Sequence, residues 1–311
     1  MRIITVIGAR PQFIKAATVS RAISKHNNLH PQKKIEELII HTGQHFDSNM
    51  SRIFFDQMQI PEPFYNLNIS NLSHGAMTGR MLEQIENILL DKKPDVVLVY
   101  GDTNSTLAGA LAAKKLHIKL AHVEAGLRSF NMKMPEELNR ILTDRISDFL
   151  FCPTLQSVNN LKSEGFGNFG SKIFKSGDVM FDAVCYYKQF AKLPQIFIKN
   201  EDILRSGFVL ATVHRAENTD IAKKITIIFD SLQKISYDIP VIVPIHPRTM
   251  QVIKELKLKI TSNRLLLTEQ VSYFENISLL DRCSLVMTDS GGLQKEAYFF
   301  QKPCLTLRDQ T

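Results

Sequence analysis

Short apolar runs rich in branched residues alternate with amphipathic helical stretches along the whole chain. The pattern predicts strands at residues 3–8, 37–41, 95–100, 119–123, 148–152, 172–176, 207–213, 240–244, 264–268, 284–287 and 303–307. Helical periodicity falls between them, at residues 12–24, 78–90, 105–115, 155–163, 221–235, 249–256, 273–281 and 293–300. Near-continuous apolar strands separated by helices indicate parallel sheets that are covered on both faces.

The length of the chain indicates two domains. A chain of 311 residues is long for a single hydrophobic core. The stretch 193–205 lacks clean periodicity and contains Pro194, so we place the junction there. The sequence therefore predicts two doubly wound, Rossmann-like α/β domains, 1–192 and 193–311, that face each other across a cleft.

Composition and charge narrow the class of function. The chain is 44% hydrophobic and carries a formal net charge of +7, but its basic residues are scattered. This distribution favours steering of an anionic small molecule over a nucleic-acid surface, although a basic face without function fits equally well. The sequence has no apolar stretch long enough to span a bilayer and no signal peptide, so we expect a cytoplasmic protein without a membrane partner. The four cysteines form no CxxC pair, which argues against a zinc cage or a disulfide framework.

Polar and ionisable residues follow directly after six of the predicted strands. They lie in the segments 8–11, 41–45, 101–105, 124–128, 214–218 and 246–248. The carboxyl ends of parallel strands share one edge of a sheet, and ligands of such folds bind outside that edge. We therefore expect a ligand site formed by these loops.

Three carboxylates are candidates for acid–base chemistry. Asp102 and Glu124 end neighbouring predicted strands and should lie close together, and Glu136 follows Pro135 at a predicted helix start. Carboxylates that share a cleft raise one another's pKa, which suits proton transfer near neutral pH. Structural alternatives remain for two of them: Asp102 is suited to capping the next helix, and Glu136 to a helix N-terminus. Glu124 has no obvious structural task.

The segment 288–296, TDSGGLQKE, joins a predicted strand to a predicted helix. Glycines allow a ligand to approach the backbone closely, and a helix N-terminus presents unpaired N–H groups. Ser290, Gly291 and Gly292 therefore predict an anion site, most naturally for a phosphate or diphosphate. A tight turn capped by Ser290 explains this segment about equally well by itself.

Basic residues at the strand ends fit an anionic ligand. His214 follows a strand of the second half and can transfer protons or donate to a phosphate, or else cap a helix or lie in the core. Arg10 and Lys15 lie beside the first strand end and suit a diphosphate leaving group. His45 and His246 are weaker candidates. Histidines and acids are spread over six loops without paired spacing, so no metal site is expected.

Seven motifs occur in the order typical of one enzyme family. They are GARP at 8–11, HTGQH at 41–45, GDT at 101–103, HVEAGLR at 122–128, PEELNR at 135–140, HRAEN at 214–218 and TDSGGLQKE at 288–296. Together they resemble the non-hydrolysing UDP-N-acetylglucosamine 2-epimerases, and the resemblance runs from the first residue to the last. It implies a glycosyltransferase-B-like fold, a homodimer, and inversion of C2 of the sugar without NAD or another cofactor. The implied route is elimination of UDP to 2-acetamidoglucal, followed by re-addition of UDP.

The resemblance also assigns roles to residues. Asp102, Glu124 and Glu136 form the acid–base and charge-stabilising group, without individual assignment, and His214 contacts the diphosphate or assists its departure. The residues implied to hold UDP are Arg10, Lys15, Ser290, Gly291, Gly292 and Glu296, with Glu296 on the ribose hydroxyls. His45, Arg140, Arg215 and His246 are further candidates.

Three features depart from the family pattern. The chain ends at residues 308–311, inside a segment that family members usually continue, which predicts an incomplete second domain. Gln270 replaces a common proline in a loop expected near the uracil. The loop 129–134 resembles the branch that acts on UDP-2,3-diacetamido-2,3-dideoxyglucuronic acid, and Lys133 suits an acidic substrate.

The expected function is a cytoplasmic epimerase that converts UDP-N-acetylglucosamine to UDP-N-acetylmannosamine for a surface polysaccharide. The first alternative is the diacetamido-uronate 2-epimerase of the same family. A hydrolysing 2-epimerase would release UDP, and a retaining glycosyltransferase would not need Glu136. An inactive UDP-sugar-binding fragment would bind UDP weakly and turn over nothing.

Overall fold

The computed structural model describes residues 1–44, 58, 60–195, 197, 203 and 206–308. The chain divides into two compact units, Met1–Ala183 and Val184–Thr311. Each unit is built around one sheet. The domain boundary at 192/193 that the sequence favours stays a prediction.

Among the described residues, the sheet of the first unit has seven parallel strands. They are β1 (Arg2–Ile7), β2 (Glu36–His41), β3 (Tyr65–Asn66), β4 (Val96–Tyr100), β5 (Lys119–Val123), β6 (Phe149–Cys152) and β7 (Lys172–Lys175). Their order is β3-β2-β1-β4-β5-β6-β7, and every pair is parallel. The order reverses between β1 and β4, which is the switch point where doubly wound sheets bind ligands.

Helices connect these strands. They are α1 (Arg10–Leu29), α2 (His74–Lys92), α3 (Asn104–Lys115), α4 (Pro135–Ile146), α5 (Leu155–Ser163) and α6 (Val179–Tyr187). Local capping explains two of the starts that border the site. The Gln12 side chain accepts hydrogen bonds from the Gly8 and Ala9 N–H groups at 2.8 and 3.0 Å, and Thr103 caps α3. These bonds satisfy backbone donors that a helix start leaves unpaired.

The second unit repeats the plan with five parallel strands. They are β8 (Val209–Thr212), β9 (Val241–Pro244), β10 (Leu265–Thr268), β11 (Leu285–Thr288) and β12 (Cys304–Thr306), in the order β10-β9-β8-β11-β12. Its helices are α7 (Ala216–Thr219), α8 (Ala222–Asp238), α9 (Pro247–Glu255), α10 (Tyr273–Arg282) and α11 (Gly291–Phe299). The first strand of this unit, β8, lies inside the sheet, as β1 does in the first unit, so the sheet is wound in both directions from it.

The cores lie on both faces of each sheet. Ile4, Val97 and Val99 are fully buried in the first unit, as are Leu210 and Ile242 in the second. Burial of a valine, leucine or isoleucine side chain stabilises the fold by about 1.5–3 kcal/mol. Strands covered on both faces need apolar side chains at consecutive positions, which explains the apolar runs of the sequence.

Every strand expected from the sequence is present, with ends that differ by at most two residues. The two-residue strand β3 and the helices α6 and α7 carry too little periodic signal and were not expected. Helix α11 begins at Gly291, two residues earlier than expected, so Gly291 and Gly292 belong to the first helical turn. The Ser290 cap allows this early start. No helix among the described residues is long and apolar enough to cross a membrane.

Candidate active site

The strand register of the first unit gathers four loops at one edge of its sheet. Ile7 pairs with His41, and Tyr100 pairs with Val123, so the chain leaves these strands at a common level. The loops are tightly packed there. A Cβ atom at Gly8 would lie 1.9 Å from Thr42 Oγ1, a distance that no side chain tolerates.

Glu124 and Lys15 form a buried ion pair at this edge. Lys15 Nζ contacts Glu124 Oε2, and each side chain is only 9% exposed. Glu124 has a φ of +74°, a conformation unusual for a residue with a side chain. A Cβ at Gly101 would lie 3.2 Å from both Glu124 Oε2 and Lys15 Nζ, so the turn after β4 closes over the pair. Backbone strain at a non-glycine residue of this kind is typical of functional sites.

Asp102 lies against the same group and pairs with Arg140 of α4. Arg140 Nη2 contacts Asp102 Oδ2, and Asn139 Nδ2 donates to the Asp102 carbonyl at 2.9 Å. Burial raises the pKa of Asp102, the charges of Arg140 and Lys15 oppose the rise, and the charge of Glu124 adds to it. The side chain keeps 29% of its surface exposed. Asp102 is therefore a carboxyl group that holds a proton more readily than usual and still reaches solvent. It does not cap α3, because Thr103 does.

Two adjacent glutamates in the first turn of α4 behave differently. Glu137 is buried and accepts from the backbone N–H groups of Ser129 and Phe130, both at 2.9 Å. Arg140 Nη1 lies 3.1 Å from Glu137 Oε2. Glu136 is half-buried and, within the described part of the chain, its side chain forms no hydrogen bond or ion pair. Glu137 thus fixes the preceding loop, whereas Glu136 remains available to a ligand.

The second unit contains a half-buried helix N-terminus that follows directly after a strand. Ser290 Oγ accepts a hydrogen bond from Leu293 N at 3.4 Å and so caps α11. A Cβ at Gly291 would meet no protein atom within 4 Å, and one at Gly292 would meet only Ser290 Oγ at 3.9 Å. Neither glycine has a positive φ. Protein packing therefore does not require glycine at either position, whereas close approach of a ligand does.

A buried carboxylate organises the loop opposite this helix start. Asp289 is fully buried and accepts from His214 N at 3.0 Å, Arg215 N at 2.9 Å and Asn218 Nδ2 at 3.0 Å. His214 Nδ1 lies 3.2 Å from Asp289 Oδ1, and the His214 side chain is 46% exposed. His214 is thus neither a core residue nor a helix cap. Asp289 therefore holds the backbone of His214 and lies beside Nδ1 of its ring.

The remaining candidate residues differ in their burial and in their hydrogen bonds. Glu296 is 5% exposed and accepts from Asn276 Nδ2 at 3.2 Å. His246 is exposed, and its Nδ1 accepts from Arg248 N at 3.2 Å, which caps α9. Arg10 is half-buried at the first position of α1. His45 lies outside the described residues. No group of three or more potential metal ligands occurs among the residues described.

Comparison with known proteins identifies the family. The family model for UDP-N-acetylglucosamine 2-epimerase matches residues 27–311.

The chain belongs to the UDP-N-acetylglucosamine 2-epimerase family.

Individual members of this epimerase family match the chain over its full length. UDP-2,3-diacetamido-2,3-dideoxy-D-glucuronate 2-epimerase of Pseudomonas aeruginosa is 56% identical over 100% of this chain and 84% of its own. UDP-N-acetylglucosamine 2-epimerase of Methanocaldococcus jannaschii is 44% identical, again over 100% of this chain and 84% of its own. The crystal structure of the M. jannaschii enzyme with UDP-GlcNAc and UDP has a TM-score of 0.86 at 43% identity and covers 100% of this chain and 85% of that one. These matches confirm the predicted family and its glycosyltransferase-B-like fold class.

Within this epimerase the structure brings the predicted residues into two groups. Asp102, Glu124, Lys15 and Arg140 form one cluster in the first unit, with Glu136 on the helix that holds Arg140. His214, Arg215 and Ser290 surround Asp289 in the second unit. The roles of all these residues in the reaction stay predictions.

Sequence reasoning missed three residues that hold the two groups in place. Asp289 lies inside the TDSGG motif, where the sequence indicates a turn and no buried carboxylate. His122 and Asp144 form a buried pair at 2.7 Å beneath the first group. A histidine inside an apolar strand was the only available signal, because its partner Asp144 is 22 residues away in the chain.

Proposed function

We propose that this protein inverts C2 of a UDP-2-acetamido sugar without net hydrolysis. The observation that carries the proposal is the pairing of two acids with two cations at one sheet edge, Glu124 with Lys15 and Asp102 with Arg140. A general base must be ionised and a general acid must be protonated, and the surroundings of Glu124 and Asp102 favour this difference. Lys15 stabilises the ionised form of Glu124, whereas burial raises the pKa of Asp102.

The reaction requires two proton transfers and a departing anion. A base removes the C2 proton while the bond from C1 to the diphosphate oxygen breaks, which gives UDP and 2-acetamidoglucal. A proton is then delivered to C2 from the opposite face as UDP adds back to C1. Asp102, Glu124 and Glu136 are the groups proposed for these transfers, because each is a carboxyl group at or beside one sheet edge. No redox cofactor enters the atom balance of this route.

The second unit is proposed to hold the UDP portion. The half-buried N-terminus of α11 after Ser290 offers backbone N–H groups and a favourable dipole to a diphosphate. His214, fixed by Asp289, supplies a further donor. Glu296 is proposed to contact the ribose, with Arg10, Arg215 and His246 as further candidates near the phosphates. The crystal structure of the M. jannaschii enzyme is a complex with UDP-GlcNAc and UDP, which supports the proposal that this fold binds a UDP-sugar.

UDP-2,3-diacetamido-2,3-dideoxy-D-glucuronate is a second candidate substrate. The 56% identity to the P. aeruginosa enzyme of that name favours it over UDP-N-acetylglucosamine. The exposed Lys133 in the loop before α4 is a cation that suits a sugar carboxylate. We further propose a cytoplasmic homodimer, as the sequence resemblance implies; light scattering after gel filtration measures the oligomeric state.

The test is proton NMR of each UDP-sugar incubated with the protein in D₂O. Deuterium at C2 and a manno-configured UDP-sugar are the expected results, and the ratio of kcat/KM for the two sugars identifies the substrate. Stoichiometric release of UDP with free sugar would instead indicate a hydrolysing epimerase. Absence of C2 exchange with both sugars, from folded protein that binds UDP, would refute the proposed reaction.

A further inference from the structure

The His122 side chain lies beneath the acid cluster and is completely buried. Its Nδ1 lies 2.7 Å from Asp144 Oδ1, and its Nε2 lies 2.7 Å from the Gly101 carbonyl oxygen. A carbonyl oxygen only accepts hydrogen bonds, so Nε2 must carry a proton. A carboxylate oxygen likewise accepts, which requires a second proton on Nδ1. A neutral imidazole has one N–H group, so the geometry calls for the imidazolium form.

The second carboxylate oxygen of Asp144 accepts hydrogen bonds from a guanidinium and a backbone N–H group. Asp144 Oδ2 accepts from Arg128 Nη1 at 2.7 Å and from Gly126 N at 3.0 Å. Burial by itself would lower the pKa of Arg128, but hydrogen bonds and charges of Glu164 and Asp144 outweigh it and raise that pKa above its ordinary value. Arg128 therefore stays cationic beside Asp144. A proton on Asp144 would have to compete with this guanidinium.

The four charged side chains compensate one another. Arg128 forms a bidentate pair with Glu164 at 2.7 and 2.8 Å, and His122 pairs with Asp144. Two cations and two anions give no net charge. A buried charge without a partner is strongly unfavourable, whereas a charge that is paired and hydrogen-bonded is tolerated. A charged His122 is therefore compatible with complete burial.

The His122–Asp144 pair holds the backbone segments that carry Asp102 and Glu124. Gly101, which the His122 ring holds, has a φ of +62° and directly precedes Asp102. Gly101 N donates to the Val123 carbonyl at 3.0 Å, next to Glu124. The turn that carries one acid is thus tied to the strand that carries the other. Asp144 extends the tether to Gly126, just after Glu124.

We propose that His122 is a positioning residue, held as an imidazolium by Asp144, that fixes the Asp102 and Glu124 carboxyl groups relative to each other. This inference rests on the proposed epimerase function for its kinetic consequence. His122 does not contact the reacting atoms; it acts through the Gly101 carbonyl. A displacement of about 1 Å in a catalytic group is enough to lower a rate about a hundredfold.

The first test measures protonation directly and does not depend on activity. Long-range ¹H–¹⁵N NMR of protein labelled with ¹⁵N-histidine reports whether each ring nitrogen carries a proton. We expect both His122 ring nitrogens to carry a proton at neutral pH, because each lies 2.7 Å from an oxygen acceptor. The His122→Asn variant identifies the signal by its loss, and His122→Gln serves if that variant does not fold. An unprotonated His122 ring nitrogen at neutral pH would overturn the imidazolium assignment.

The second test is kinetic. His122→Asn keeps a donor toward Asp144 but loses the Gly101 bond and the charge, and we expect kcat to fall about 10- to 100-fold. KM for the UDP-sugar and the affinity for UDP should stay within about threefold, because the variant does not alter the binding groups. The exposed His117, at the turn before β5, supplies the matched control His117→Asn, which should behave as wild type.

The outcomes separate the two proposals. A folded His122→Asn protein with wild-type kcat, or one whose KM rises in step with the loss of kcat, would refute the positioning role. If the wild-type protein shows no C2 exchange at all, the proposed function fails, while the NMR measurement still decides the protonation state of His122.

Discussion

The strand ends of the two units offer different chemistry at equivalent places in the same kind of sheet. In the first unit, side chains of opposite charge pair with each other, as Glu124 does with Lys15 and Asp102 with Arg140. In the second unit, backbone N–H groups at the start of α11 are proposed to bind the anion, and the buried acid Asp289 holds the His214 loop. The comparison supports the proposed division, in which the first unit transfers protons and the second binds the anion. Variants in the first unit should therefore affect turnover, and variants in the second should affect UDP affinity.

The largest expected effect is that of Glu124→Gln on turnover. The change removes an ionised carboxyl group from the acid cluster and should lower kcat at least about a hundredfold, the usual scale for acid–base groups. UDP affinity, measured by calorimetry, should stay within about threefold. The exposed Glu83 of α2 provides the control Glu83→Gln, with no expected change. A loss of UDP affinity that matches the loss of kcat would contradict the division between the units.

Asp289→Asn should weaken UDP binding and also the fold. The amide places N–H donors where the His214, Arg215 and Asn218 donors now point, so at least one buried group loses its partner. We expect about 2–4 kcal/mol less stability in urea unfolding. As a comparison, Asp281→Asn breaks an ion pair with Lys188 in which the two side chains are 35% and 53% exposed. This change should lower the stability by at most about 1 kcal/mol. Equal stability of the two variants would show that Asp289 does not organise the loop.

Gly292→Ala separates ligand binding from packing in the second unit. The added methyl group meets only Ser290 Oγ at 3.9 Å, so stability should be unchanged or up to about 1 kcal/mol higher. UDP affinity should fall about tenfold, because the methyl group occupies the space in front of the helix start. Gly75 of α2 is in the same helical turn position with open space around it. Gly75→Ala should therefore raise stability equally and leave UDP affinity unchanged. Normal UDP affinity in Gly292→Ala would mean that the diphosphate binds elsewhere.

The smallest expected effect is on the pH dependence of kcat, through Asp102 in the first unit. Arg140 favours the ionised form of Asp102 and so opposes the rise in its pKa that burial causes. Without that cation the pKa of Asp102 rises further, so the limb of the kcat profile that reports Asp102 should move to higher pH in Arg140→Gln. Arg140→Lys keeps the charge and should leave the limb closer to its wild-type position. A shift to lower pH in Arg140→Gln would contradict the proposed electrostatic role.

Local sequence pattern determined much of the fold. The apolar runs of the strands and the periodicity of the long helices depend on neighbours within a few residues, and consecutive burial on both faces of a parallel sheet leaves a clear signal. The sequence also predicted which loops share one edge of the sheet, because parallel strands end together. This is why the proximity of Asp102 and Glu124 could be expected before the structure was known.

Only the tertiary structure decided which polar side chains hold others in place. The sequence placed His122 in an apolar strand, but Asp144 and the Gly101 carbonyl, which contact it, come from other elements. The sequence places Asp289 in a turn, whereas the structure places the backbone donors of the His214 loop around its carboxylate. Hydrogen bonds and ion pairs between distant segments depend on angle and distance in three dimensions, and sequence spacing does not encode either. The sequence by itself determined the sheets, the helices and the chemical groups at their edges, whereas folding decided the partner of each buried charge.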